Sequence, residues 1–470
     1  MDIATANLVR KLPSVSKCLD SKWGQELCNE FGEGISKLEI RIYLDQLRSS
    51  LQQGKLGAVP VFDDLGQEVR IRIQRLVSAD ARRAINATGI ILHTGLGRAP
   101  LGQTAIDAVL QAARYTPVQV ELASGQRSLR EAKVERILCE LTGCEAATVV
   151  TNNAAATFLI LNTLAAGSEV VISRGQLVEI GGSFRLPEVM AQSNAILREV
   201  GTTNRTHLKD YEKAVGEKTA AILYVHPSNY SIRGFAGMPP LEDLCKLGHS
   251  RNVPVVADLG SGALVPLSEF GLKNVITISE ALSCQAAISC SSGDKLIGGP
   301  QSGIICGRRE IVERIRENPF ARMFRVDKLT LAALEATLAC YVNGDYRTKL
   351  PLYRMLELKL DKLENRAKGI VEKLREIKNV HLSIADDFAF VGGGALPDEA
   401  VASKTLSIQS VHEQEKARFA SKISAVLRLH VPPVFCRIHE QALVFDMRTL
   451  LEGDEEVLGH ALKEVLGSQR

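Results

Sequence analysis

The chain has no run of residues apolar enough, for long enough, to suggest a membrane span. Its most apolar region, Ala146 to Ala166, is interrupted by Asn152, Asn153 and Asn162, whereas a span needs roughly 20 near-continuous apolar residues. That region reads instead as a buried strand followed by a buried helix. The ten cysteines include no CxxC pair and no Cys/His cluster, so neither a zinc site nor a disulfide framework is indicated and no metal is expected. No secretory signal stands at the start, and reduced thiols in a cytoplasm are the simple expectation. Internal repeats and low-complexity segments are also missing. Charge of either sign is in little excess. A net charge of +3 and a pI near 8.3 permit a polyanionic partner without arguing for one. Against these absences stand 470 residues with 45% hydrophobic and 24% charged side chains, the make-up of an ordinary soluble globular protein of about three domains.

Residues 1 to 80 read as a small helical domain. A helix over Leu8–Leu12 stops at Pro13, and Ile35, Leu38 and Ile42 recur at helical spacing with Lys37, Arg41 and Arg48 on other faces. Gly54 to Pro60 is a linker, and Glu68 to Arg75 fits either a strand or a charge-laced helix. From Ile85 to about Arg309 short β-branched runs (Ala147–Val150, Glu169–Ile172, Ala220–Val225, Val253–Val256) alternate with helical windows. That alternation predicts an α/β domain over 81–340, with a mostly parallel sheet covered by helices. Beyond, an amphipathic helix over Leu352–Lys378, the glycines of Val391–Gly394, a helix near 415 and the strand pair Val434–Ile438 and Ala442–Asp446 predict an α+β C-terminal domain, 341–470.

The chemistry concentrates in Ser292-Gly293-Asp294-Lys295-Leu296-Ile297-Gly298-Gly299-Pro300. A lysine set among small and apolar residues is desolvated, which lowers its pKa and readies it as a nucleophile. Gly298 and Gly299 would let backbone approach a bound group. On this window alone a solvated surface lysine fits as well. Asp258 closes the run Val253–Ala257, ahead of Lys295 by one crossover. A lysine for a Schiff base and a carboxylate for a pyridinium nitrogen suit pyridoxal 5′-phosphate, although either residue alone has plainer readings, such as a helix cap for Asp258. Asn152 and Asn153 open an alanine-rich helix whose N-terminus could cradle a phosphate. Arg98, Arg322 and Arg325 could converge on a second oxyanion, the arginine pair sharing a face if its segment is helical. Salt bridges to neighbouring acids would explain them equally.

The chain resembles the bacterial selenocysteine synthases, the L-seryl-tRNA(Sec) selenium transferase family, over nearly its whole length. The motifs that carry this are Ile85–Gly89 through Leu101, Ser173–Gly175 through Gly182–Arg185, Glu199–Thr206, Asp258–Gly262, Ser292–Gly303 and Arg325–Thr337. The resemblance implies a fold-type-I pyridoxal-phosphate enzyme with Lys295 carrying the cofactor and Asp258 facing its ring. Asn152, Asn153 and Gly299 would belong to the cofactor site. Arg98, Arg322 and Arg325 match arginines that hold the donor, selenophosphate. It also implies that residues 1–80 grip seryl-tRNA(Sec), and that the protein is a homo-oligomer, a ring of dimers with sites shared between subunits. No DNA or membrane partner is implied. The chain departs from the family's usual residues at Gly95, Ser128, Thr151, Gln176, Pro227 and Ser291. Those departures keep two alternatives open: a related lyase or transferase acting on a small amino acid or amino sugar phosphate, and a tRNA-binding relative that has lost catalysis.

Overall fold

A computed structural model describes residues 3–77, 82–181, 184–232, 234–273, 275–392, 396 and 399–467. The expected boundary at residue 80, Gly182 and Ser183 of one motif, and Gly393 and Gly394 lie outside these. The chain forms two compact units, Met1–Arg83 and Ala84–Arg470.

The first unit is helical: Ile3–Arg10, Val15–Leu19, Lys22–Phe31, Glu33–Gln52 and Phe62–Val77. Leu27, Ile40, Leu44, Leu65, Val69 and Ile73 form its core. The stripe expected on Glu33–Gln52 is displaced. Leu38 is 49% exposed, and the buried face runs through Ser36, Ile40, Leu44, Leu47 and Leu51. The ambiguous Glu68–Arg75 run is helix. Its Arg72 reaches Glu39 at 3.2 Å and its Arg70 pairs with Glu30. Gly66 is explained by packing, because a Cβ there would lie 2.6 Å from the Trp23 ring.

The second unit holds fourteen strands among its described residues: β1 Ile85–Ala87, β2 Ala146–Val150, β3 Glu169–Ser173, β4 Glu179–Ile180, β5 Phe184–Arg185, β6 Ile196–Val200, β7 Thr219–Val225, β8 Val255–Gly260, β9 Ile288–Ser292, β10 Gly303–Gly307, β11 Val380–Phe390, β12 Ala400–Ser410, β13 Val434–His439 and β14 Ala442–Asp446. Seven make the central sheet in the order β2-β10-β9-β8-β7-β3-β6. All its pairings are parallel except those of β10, which runs antiparallel to both neighbours. Alternate residues feed two cores: Ala147, Val149, Ile222 and Tyr224 on one face, Ala146, Val150, Ala221 and Leu223 on the other. Burial on both faces is why these strands read as continuous apolar runs.

A five-stranded sheet, β1-β13-β14-β12-β11, forms the C-terminal part. Its edge strand β1 comes from the start of the expected α/β domain and pairs in parallel with β13, Ile85 opposite Val434. Strands β11 and β12, 11 residues each, pair as an antiparallel hairpin on either side of the Val391–Gly394 glycines, where the sequence marks no strand pair. The helix expected over Leu352–Lys378 is two helices, Pro351–Glu357 and Leu360–Leu374.

Candidate active site

β8 ends at the rim of a cavity of about 380 Å³, beyond the carboxyl ends of the parallel strands, where α/β sheets place their ligands. Asp258, near the end of β8, is 4% exposed. A carboxylate so buried needs donors, and it has three. Asn153 Nδ2 donates to Oδ1 at 2.8 Å, the Gly260 amide to Oδ1 at 3.0 Å, and Thr157 Oγ1 to Oδ2 at 2.8 Å. Asn153 and Thr157 sit one turn apart on the helix Asn153–Ala165, so that helix orients the carboxylate. Asn152 is its N-cap, with the side-chain oxygen accepting from Ala155 N at 2.9 Å. Asn152, Asn153 and Ala154 line the cavity.

Lys295 follows β9 in a tight turn and is 5% exposed. The Gly293 amide reaches Ser302 O at 2.9 Å, Gly299 N reaches Gly293 O at 2.9 Å, and Gly298 N reaches Lys295 O at 2.9 Å. A Cβ on Gly293 would overlap Ser302 Oγ and lie 2.9 Å from Pro300 O. Two buried tyrosines hold the turn from behind. Tyr341 Oη donates to Ile297 O at 2.7 Å and Tyr353 Oη to Leu296 O at 3.0 Å. Burial first, and then the Arg98 guanidinium, pull the Lys295 amine down to about 8, against the opposite pull of Asp294 and Asp258. A neutral amine is thereby accessible near neutral pH.

Arg98 lines the same cavity and takes a left-handed backbone, φ 62°. Its Nη1 donates to Asp294 Oδ2 at 2.7 Å, and the Ala99 amide to Asp294 O at 3.2 Å. Asp294, 5% exposed, therefore fixes the arginine loop against the lysine turn. Sequence reasoning missed it, although it stands beside Lys295. His226, Ser228 and Asn229, at the end of β7, also line the cavity. The His226 amide donates to Asp258 O at 2.8 Å, and Ser228 O accepts from Leu396 N at 2.8 Å. Gly260, at φ 62°, is needed where a Cβ would come within 2.8 Å of Ser228 Oγ.

The structure thus brings Lys295, Asp258, Asn152, Asn153 and Arg98 together. It sets three expected residues apart. Gly299 is not among the lining residues and closes the turn behind Lys295. Arg322 and Arg325 line a different cavity, about 210 Å³, with Arg130 and Arg316. Nor do these two share a helix face, because the helix Pro319–Met323 stops before Arg325. Phe324 O instead accepts from Thr151 N at 2.9 Å, tying the segment to the edge of β2. Of the departures, Gly95, Thr151, Gln176, Pro227 and Ser291 are all absent from the lining of the 380 Å³ cavity. Each lies within one or two positions of a residue that does line it.

A family model described as L-seryl-tRNA selenium transferase matches residues 84–451. Proteins named L-seryl-tRNA(Sec) selenium transferase align with nearly the whole chain. The one from Geotalea daltonii is 42% identical over 98% of this chain and 100% of its own. That from Aquifex aeolicus is 40% identical over 98% and 99%, and that from Carboxydothermus hydrogenoformans 39% identical over 100% of both. Among solved structures, D-glucosaminate-6-phosphate ammonia-lyase superposes with a TM-score of 0.58 at 20% identity, covering 84% of this chain and 98% of its own. That likeness is one of fold, and it bears out the fold-type-I α/β class expected from the sequence. The family model and the full-length relatives together establish that the chain belongs to the L-seryl-tRNA selenium transferase family.

Proposed function

We propose that the protein converts seryl-tRNA(Sec) to selenocysteinyl-tRNA(Sec), using pyridoxal 5′-phosphate held in the 380 Å³ cavity and selenium from selenophosphate. The observation that carries this reading is the buried Lys295 amine, drawn down to about 8, in one cavity with the Asp258 carboxylate that accepts three hydrogen bonds. The residues present fit the cofactor. A lysine is available for covalent attachment, a fixed carboxylate for a ring nitrogen, and a helix N-terminus for a phosphate. Asn153 Oδ1, buried and without a hydrogen-bond partner, is a further polar atom at that wall. When bound, the cofactor supplies an electron sink for the bond broken at the substrate α-carbon.

The chain's own groups do the rest. Asp258 holds a proton at the ring nitrogen, and Asn153 and Thr157 keep its carboxylate from turning away. Lys295 Nζ takes the α-proton of the seryl group, for which an amine titrating near neutrality is suited. The β-hydroxyl would then leave as water, taking up the proton that Lys295 Nζ has gained, and the β-carbon would be open to attack by the selenium of selenophosphate. Arg98, locked to Asp294, presents a guanidinium at the cavity for an oxyanion. Arg322 and Arg325, both exposed in the single chain and lining another cavity, are read as serving the site of a neighbouring copy in a homo-oligomeric ring. The helical N-terminal unit is read as the tRNA grip. On its helix Glu33–Gln52, Lys37, Arg41 and Arg48 are exposed along one stripe, suited to phosphates. A cytoplasmic location accords with that role, and no described helix is long and apolar enough to cross a membrane.

Purified protein supplied with pyridoxal phosphate, seryl-tRNA(Sec) and selenophosphate should yield selenocysteinyl-tRNA, and Lys295→Ala should not. Lysine-dependent cofactor absorbance without product would refute the tRNA reading and move the search to small amino compounds.

A further inference from the structure

Three thiols meet at the end of β2 remote from Asn152, and the chemistry above uses none of them. Cys139 lies in the last turn of the helix Ala132–Thr142. Gly143, at φ 73°, turns the chain there, its amide donating to Cys139 O at 2.9 Å. The turn brings Cys144 Sγ to 3.6 Å from Cys139 Sγ. Cys306, on β10 opposite Ala147, lies beneath them, fully buried.

The approach is held from several sides. Thr142 Oγ1 donates to Leu138 O at 2.7 Å and accepts from Cys144 N at 3.4 Å. Glu145 Oε2 accepts from Arg309 N at 3.0 Å. An S–S bond is about 2.05 Å long, so the two sulfurs need to close by only about 1.5 Å. Cys139 is half-buried and Cys144 8% exposed, which admits a small oxidant to this pair before Cys306. The surrounding thiols and the Thr142 hydroxyl also favour the anion at Cys144, lowering its pKa, while burial raises that of Cys139. Cys290, which pairs across from Asp258, is by contrast fully buried and pushed well up, the setting of an inert thiol.

We propose that Cys139 and Cys144 are an oxidant-sensitive dithiol, closed by a hydroperoxide into an intramolecular disulfide away from the catalytic cavity. Cys144 sulfur attacks the peroxide oxygen, the O–O bond breaks, and Cys144 becomes a sulfenic acid as the alcohol (or water) leaves. Cys139 sulfur then attacks Cys144 sulfur, the S–O bond breaks, and water departs with the Cys139 proton. Two thiols are oxidised and one peroxide is reduced.

The test uses full-length, cofactor-loaded, pre-reduced protein treated with hydrogen peroxide, then denatured and alkylated. Proteolysis after Glu140 separates the two cysteines. The expected product is a linked peptide pair lighter by about 2 Da than its reduced parts and split by dithiothreitol, with Cys306 still alkylated. In Cys144→Ser, oxidation of Cys139 should slow by more than about tenfold. Continued alkylation of both thiols under excess peroxide, a Cys144–Cys306 link, or an unchanged rate in Cys144→Ser would each overturn the proposal.

Discussion

Replacing Lys295 with methionine should stabilise the cofactor-free protein at pH 7 and cease to do so in alkali. The amine falls from its ordinary 10.5 to about 8 on folding. The folded state therefore binds fewer protons than the unfolded state between those two values. Stability of the wild type accordingly rises with pH across that window. Below about pH 8 the whole cost of charging a buried ammonium is present, about 3 kcal/mol at roughly 1.4 kcal/mol for each tenfold change. Methionine has similar length and no charge, so it removes that cost without leaving a cavity. Urea unfolding of both proteins at pH 7, 8, 9 and 10 gives the difference directly. The variant should lead by about 3 kcal/mol at pH 7 and lose most of that lead by pH 10. A difference that stays constant with pH would refute the reasoning, because only titration of Lys295 links the gap to protons.

Other perturbations follow from the same geometry. Tyr341→Phe and Tyr353→Phe each strand a buried carbonyl behind the lysine turn and should cost about 1–3 kcal/mol in urea melts. Gly293→Ala should destabilise by about 1–3 kcal/mol, and Ser302→Ala should recover only part of this because Pro300 O remains in the way. Lys37→Glu combined with Arg41→Glu should weaken tRNA binding and lower the log–log salt slope by about 2, measured by filter binding; an unchanged slope would remove that stripe from the interface. Lys295→Ala mixed with the double variant Arg322→Ala, Arg325→Ala should regain turnover if neighbouring copies complete each other's sites, and inactive mixtures would count against that arrangement.

Lys295 and Asp258 were legible as a pair and through the motifs around them, because each alone has a plainer reading, a solvated lysine or a helix cap. Their helpers were not. Arg98 meets Asp294, and Tyr341 and Tyr353 meet Ile297 and Leu296, across separations that no local period encodes. The hairpin β11–β12 escaped because Asp386 and Asp387 break its alternation. In the fold those charges are answered across the sheet, Asp386 by Lys404 at 2.9 Å and Asp387 by Arg437 at 2.7 Å. The stripe on Glu33–Gln52 slipped for a similar reason. Ser36 hides by bonding Gly32 O at 2.8 Å, so a polar residue took a buried position that Leu38 seemed to own. The arginine pair failed at a helix end, where Phe324 turns back to Thr151. Composition cannot mark where such a helix stops.

The parallel seam between β1 and β13 bears on how the protein is made. Ile85 to Ala87 leave the ribosome about 350 residues ahead of the strand they accompany, a wait on the order of tens of seconds at ordinary elongation rates. Until then this short apolar segment is an orphan that a chaperone or a second nascent chain could capture. Nascent chains arrested before residue 433 should leave the Ile85 amide, which donates to Pro433 O at 2.8 Å in the folded chain, open to hydrogen exchange, and release of the finished chain should close it. Early protection would mean that another partner holds the strand first.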